Sequence, residues 1–268
     1  MSHRAWLELV RAELFASRLT LHELGELAGF SKTRMSELLR GKGVYPRWKT
    51  TYQVIHALGM QPWPMRRLWA AAAREAQKKE TWISNCINGV GIAEMLGVAP
   101  VDHRGFTEGN RAPYTAYAEA FLFTNERASW VVKEAFDMLW LRWDAVLASP
   151  DVRKSAWKLF RGRVMERAGH TEGRPDLRPL AFTGAHDHTS DLAAQFARVG
   201  ELLALFEACR DLPDTQLDVM VLKYYGGLDD TATANVLGVP LAAVCSADRY
   251  AKRTLTRLLN LPPGRTSQ

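Results

Sequence analysis

The chain has 268 residues, 47% of them hydrophobic and 24% charged, enough for one large domain or two to three small ones with their own cores. Its three cysteines, Cys86, Cys209 and Cys245, stand far apart; the spacing points to neither a zinc ribbon nor a disulfide framework and fits a reducing cytosol. No apolar run approaches the roughly 18 residues of a membrane span, and the opening MSHRAWLELVRAEL carries acids within its apolar stretch, unlike a signal peptide. The expected location is the cytoplasm, with no membrane partner.

The formal net charge of +6 is uneven. Residues 1–80 hold 14 of the 35 Lys/Arg and 7 of the 29 Asp/Glu, a net of +7, so the remainder nets −1. Concentrated positive charge suits an anionic partner, of which nucleic acid is the commonest in the cytosol. A solvated basic helix face explains the same charge without a partner.

Apolar residues recur mostly at helical spacing, so the expected fold class is all-α. Helical stretches fall at 4–17, 20–28, 31–39, 48–58, 62–79, 111–124, 127–147, 150–168, 195–211, 213–225, 229–237 and 240–260. Residues 98–112 and 169–190 read as loops, being rich in Gly, Pro and polar residues.

The stretch LTLHELGELAGFSKTRMSELLRG, residues 19–41, has the signals of two short helices joined by a tight turn. Thr20 and Glu23 form a capping box. Leu24, Leu27 and Ala28 are expected on one buried side. Gly29 supplies the turn, Phe30 packs beneath it, and Ser31 caps the next helix. Met35, Leu38 and Leu39 form the apolar face of that helix, and Gly41 can end it. Gly25, Gly29 and Met35 have the spacing that two helices crossing near a right angle require. Ser31, Lys32, Thr33, Arg34 and Ser36 then stand where such a motif meets the major groove. Arg40, Lys42, Arg47 and Lys49 follow as phosphate-gripping candidates.

Residues 5–60 resemble the Cro/cI-like (XRE) helix-turn-helix family through that core and the closing PRWKTTYQVIHALG helix. The resemblance implies a five-helix DNA-binding domain whose third helix reads DNA, in a homodimer on a two-fold site. Members of that family often carry Gln where this chain has Leu21, so a bracing phosphate contact is missing here.

Residues 89–105 begin like another such motif, but His103 stands where a buried aliphatic belongs, and Pro100 and Gly105 would interrupt the second helix. In 113–168 aromatics are dense at helical spacing: Tyr114, Tyr117, Phe121, Phe123, Trp130, Phe136, Trp140, Trp143, Trp157 and Phe160. Core is the default reading. The stretch 150–168 also carries Arg153, Lys154, Lys158, Arg161, Arg163 and Arg167. His186-Asp187-His188 lacks a third ligand nearby and reads as solvated loop.

Residues 212–259 repeat the motif spacing with Ala234, Gly238 and Val244, after a helix stop at Tyr225-Gly226-Gly227 and a fresh start at Asp229. VLKYYGGLDDTATANVLGV and the basic helix behind it resemble region four of extracytoplasmic-function sigma factors. The resemblance implies a second DNA-contacting set, Ser246, Arg249, Lys252 and Arg253, directed at the −35 element. Ala243, Cys245 and Ala247 depart from it, standing where the family carries polar or charged contacts. Placed before such a domain, KEAFDMLWLRW and SAWKLFRGRV resemble sigma region two. That likeness implies docking on RNA polymerase and −10 recognition through Glu134, Trp140, Lys158 and Arg161. Trp130 and Lys133 depart from it, replacing the family's acidic and glutamine positions.

The expected architecture is therefore an N-terminal Cro/cI-like domain (1–80), a linker (81–112), a region-two-like helical domain (113–168), a second linker (169–194) and a region-four-like helix-turn-helix domain (195–262). The expected function is sequence-specific DNA binding that regulates transcription. Double-stranded DNA, RNA polymerase and a second copy are the candidate partners. One alternative is a working sigma factor that docks on polymerase and directs promoter-specific initiation. Another is an interaction module, antitoxin-like or anti-sigma, that binds no DNA. No phosphate loop, nucleophile elbow or HExxH motif is present, so neither enzymatic chemistry, a metal nor a cofactor is expected.

Overall fold

The computed structural model describes residues 4–41, 43–90, 98–178 and 204–259. These are predominantly helical. The helices are α1 (Arg4–Ser17), α2 (Leu21–Ala28), α3 (Lys32–Arg40), α4 (Trp48–Ala57), α5 (Pro62–Glu75), α6 (Glu80–Asn88), α7 (Val101–Leu122), α8 (Asn125–Leu141), α9 (Trp143–Leu147) and α10 (Val152–Arg167). Residues 204–210 are helical. They precede α11 (Asp214–Met220), which continues into a π-helical turn (Val221–Tyr225), then α12 (Asp230–Leu237) and α13 (Leu241–Leu258). Among the described residues the strands are β1 (His170–Thr171) and β2 (Arg174–Pro175), an antiparallel pair with His170 opposite Pro175. None of the described helices is long and apolar enough to cross a membrane.

The loop expected at 98–112 is instead the start of α7, and α6 occupies part of the expected linker. Gly105, Gly109 and Pro113 all lie within the α7 helix. Pro113 forfeits one helical hydrogen bond, but burial of His103 and Thr107 on this stretch outweighs the local preference. The would-be motif at 89–105 lies partly, and His186-Asp187-His188 wholly, outside the described residues.

The chain divides into two compact units. The first comprises Met1–Arg104 and Phe136–Trp143, the second Gly105–Ala135 and Asp144–Gln268. In the first unit Trp6, Leu7, Leu24, Met35, Trp48, Ile55, Met65 and Trp69 are fully buried. Each contributes roughly 1.5–3 kcal/mol by leaving water. The Tyr45 hydroxyl donates to the Trp69 carbonyl at 2.6 Å, and the Trp69 indole donates to the Pro46 carbonyl at 3.1 Å. These bonds tie the loop before α4 to α5, and Trp82 of α6 stacks on Trp69 at 5.8 Å. Arg67 forks onto the buried Asp137, with its Nε 2.9 Å from both carboxylate oxygens.

Beside that ion pair His103 is buried, its Nε2 3.1 Å from the Phe136 carbonyl and its ring edge-on to Trp143 at 5.0 Å. Burial lowers its pKa below the usual imidazole value. The Phe136 carbonyl and Asp102 oppose the shift, and the nearby Arg67 cation adds to it. The unfolded chain then takes up a proton near pH 6.5 that the folded chain resists. Stability therefore falls as pH drops below that value, and it is level above it as far as His103 is concerned. Melting temperatures between pH 8 and 5 should show this decline, and His103→Gln should flatten it.

In the second unit Tyr114, Tyr117, Phe121, Trp157 and Phe160 form an aromatic core, Tyr114 stacking on Phe160 at 4.1 Å. A polar cluster crosses it. Asp218 of α11 is 5% exposed and receives the Tyr117 hydroxyl at 2.7 Å, the Arg161 Nε at 2.8 Å and the Trp157 indole at 3.4 Å. Arg161 also reaches Asp214 at 3.0 Å. Helices α7, α10 and α11 are thus joined through one carboxylate. Nearby, Gly238 adopts φ +64 in the α12–α13 turn and lies on the first turn of α10. A Cβ there would come within 2.8 Å of the Lys154 Cα and 2.9 Å of the Arg153 carbonyl carbon. Asn235 accepts a bond from Arg153 at 2.5 Å beside it.

Candidate nucleic-acid interface

Local chemistry builds the α2–α3 pair as its residues suggest. The Glu23 N–H donates to Thr20 Oγ1 at 3.2 Å, and the Thr20 N–H donates to Glu23 Oε2 at 2.7 Å, closing the capping box. Gly29 takes φ +73, a conformation costly for a side chain with a Cβ. The Phe30 N–H then returns to the Gly25 carbonyl at 2.7 Å. Ser31 Oγ accepts from the Arg34 N–H at 3.3 Å, so α3 starts at a satisfied cap. Leu24, Ala28, Met35 and Leu39 face inward, and Phe30 and Leu38 are half-buried. Leu27 is the exception: expected inward, it is 63% exposed. Gly41 closes α3 at φ +66. The Arg11 guanidinium of α1 donates through Nε to the Leu39 carbonyl at 2.7 Å, satisfying an orphan group at that end.

Gly25 is small for a steric reason. A Cβ there would lie 2.6 Å from the Phe30 carbonyl oxygen, a backbone atom that cannot swing aside. Gly25→Val should therefore lower stability by about 1–3 kcal/mol through overpacking, as urea titration would show.

Ser31, Lys32, Thr33, Arg34 and Arg40 are exposed and Ser36 is half-exposed, all on or at the start of α3. Arg47 and Lys49 are exposed at the start of α4, and Lys42 lies outside the described residues. Among the described residues Lys32, Arg34, Arg40, Arg47 and Lys49 make no ion pair; Arg34 lies over the Phe30 ring at 5.6 Å. Arg34, Glu37, Arg47 and Thr50 line one half-open cavity of about 360 Å³, so cations from α3 and α4 converge on the same hollow. No side chain caps the N-terminus of α4, which leaves its first amide protons for solvent or an anion.

The second motif has the same scaffold and a different surface. Asp229 caps α12 through the Ala232 N–H at 2.6 Å, and Val244 is fully buried. Ala243 and Cys245 are exposed and Ser246 is half-buried at the start of α13. Ala247, expected at a contact position, is buried and faces the core, so its small size serves packing. Lys223 bridges Asp230 at 2.6 Å and Asp248 at 3.0 Å, and Lys252 pairs with Asp248 at 3.0 Å. The Lys223 ammonium holds Asp230 below the usual carboxylate range. Arg249 and Arg253 are exposed.

The residues nominated for polymerase or −10 contact are scattered in role. Glu134 is buried and paired with Arg163 at 3.0 Å and Arg167 at 2.7 Å, so its charge is neutralised inside the protein. Trp140 is buried in the first unit. Arg161 is engaged with Asp218 and Asp214, and Lys158 alone of the four is exposed. Sequence reasoning missed Asp218, Asp214, Asp137 and Arg67. All four have partners far along the chain, and no local pattern marks them. Compared with family models, curated proteins and solved structures, the chain finds no match.

Proposed function

We propose that the protein is a sequence-specific DNA-binding regulator of transcription that works in the cytoplasm as a homodimer. Its first unit is Cro/cI-like and its second is a sigma-factor-like body. The observation that carries this reading is the outward face of α3. Lys32, Thr33, Arg34 and Ser36 surround a capped helix start, and the cations there and at Arg40, Arg47 and Lys49 make no ion pair among the described residues. Side chains of this kind at a helix N-terminus reach base edges, with the flanking cations on phosphates. Selection from a pool of randomised duplexes tests it. Enrichment of a two-fold site with half-sites about 10 base pairs apart is the expected outcome. Equal recovery of all sequences would overturn it.

The second unit favours a regulator over a sigma factor. A sigma factor reads elements at −10 and −35, about 25 base pairs or roughly 85 Å of duplex apart at 3.4 Å per pair. Here the α12–α13 turn lies on α10, and Leu241 is three residues from Gly238, at most about 11 Å away. The two would-be reading elements are side by side. Co-migration with core RNA polymerase at micromolar protein, displaced by a housekeeping sigma factor, would contradict this part of the proposal.

A further inference from the structure

We propose that the half-open hollow between α3 and α4 is a binding site for a small zwitterion with an apolar body, the chemistry of an aliphatic or aromatic α-amino acid, and that its occupation shuts the first unit off from DNA. The inference deepens the regulator reading, on which only its second half rests. The hollow has a volume of about 360 Å³, within the range of about 300–1,000 Å³ typical of small-ligand sites. Arg34 and Glu37 of α3 and Arg47 at the start of α4 line it. All three are exposed, and none makes an ion pair among the described residues.

A surface that only grips phosphates accounts for the two arginines and not for the rest. Glu37 repels a phosphate, and apolar surface adds nothing to a phosphate contact. Yet Leu38, Val44 and Tyr45 also line the hollow. Val44 is 85% exposed, an apolar side chain that a ligand's body would shield from water. The Tyr45 hydroxyl is committed to the Trp69 carbonyl at 2.6 Å, so this residue offers the hollow its ring. Arg34 and Glu37 are i, i+3 neighbours on α3, with Cβ atoms about 5–6 Å apart. A cation and an anion that close, left unpaired with each other, match a ligand whose carboxylate and ammonium share one carbon. The ligand's carboxylate would accept from Arg34 and Arg47, and its ammonium would donate to Glu37, each a charge-assisted bond. Its side chain would cover Leu38, Val44 and the Tyr45 ring. A ligand seated in this way occupies the guanidinium groups that phosphates need. By linkage, ligand and duplex then weaken each other's binding by the same factor.

The test is calorimetric titration of the full chain, without DNA, using L-leucine and L-phenylalanine as probes. Glycine lacks the apolar body, isocaproate lacks the ammonium and isoamylamine lacks the carboxylate. Leucine should bind about tenfold or more tightly than each of these, since each loses one of the contacts that hold it. Glu37→Gln should weaken leucine about tenfold and leave isocaproate as it was, a difference that loss of folding would not produce. With leucine at about ten times its dissociation constant, affinity for the selected duplex should fall about elevenfold, as competition for one site requires. No binding of either amino acid up to about 10 mM, weak even for a ligand of this size, would overturn the inference. So would glycine, isocaproate or isoamylamine binding as tightly as leucine, or duplex affinity indifferent to bound leucine. Calorimetry needs no duplex and the selection experiment needs no amino acid, so failure of the zwitterion site and failure of the regulator reading are told apart.

Discussion

Reversing the charge at Lys32 and Arg34 together is expected to abolish sequence-specific DNA binding, a loss of about a hundredfold or more. Each good contact to a base or its neighbouring phosphate carries roughly 1–3 kcal/mol, and a glutamate in its place adds repulsion from the duplex. Folding should be untouched. Both side chains are exposed, and neither makes an ion pair among the described residues. The Ser31 cap bonds the backbone of Arg34 and so survives the exchange. Fluorescence anisotropy on the selected duplex, with thermal unfolding as the control, checks both halves. Unchanged affinity in a folded variant would mean that the duplex is read by residues other than Lys32 and Arg34, and would remove α3 as the reading helix.

Arg161→Ala is expected to destabilise the second unit by about 3–5 kcal/mol, the cost of leaving a buried charge without its partner. Burial pushes the Asp218 carboxyl up, while Arg161, Tyr117 and Trp157 pull against it through the bonds they donate. Removing the guanidinium leaves that carboxylate among aromatic rings with only a phenol and an indole. For a unit of this size the loss amounts to a melting shift on the order of 10 °C. Lys158→Ala, on the same helix but exposed, should stay within about 0.5 kcal/mol of the parent. The sigma-like resemblance gave these two residues one role. A large difference between them would separate structural duty from surface duty, and equal mild effects would contradict the buried network.

What could be read from residue order, and what could not, divides by range. The α2–α3 motif is written in neighbours: Thr20 with Glu23, Gly25 with Phe30, Ser31 with Arg34. The second motif is legible for the same reason, through Asp229, Gly238 and Val244. Leu27 misled because its apolar character matches its neighbours while its angular position on α2 does not. The start of α7 was hidden by Gly105, Gly109 and Pro113, whose local preference loses to the burial of His103 and Thr107. Glu134 and Arg161 looked like surface charge because their partners, Arg163, Arg167 and Asp218, are recognisable only once helices pack. Among the candidate interface residues, α3 and its flanking cations emerge outward as anticipated. The neutrality of the second motif depends on Lys223, whose role is fixed by the turn in which it sits.

That turn has a phase consequence. Between Val221 and Tyr225 the chain is π-helical, and the Gly226 N–H reaches back five residues to the Val221 carbonyl at 2.9 Å. One residue more than an α-helical turn needs is accommodated there. Because each residue advances an α-helix by 100°, the extra one rotates everything behind it by more than a quarter-turn relative to α11. Deleting a single residue from this stretch would keep every side chain of α12 and α13 and change the direction in which they leave. Gly238 would lose its seat on α10, and Lys223 its reach to both Asp230 and Asp248. The second motif is therefore set in place by a count of residues as much as by their kinds.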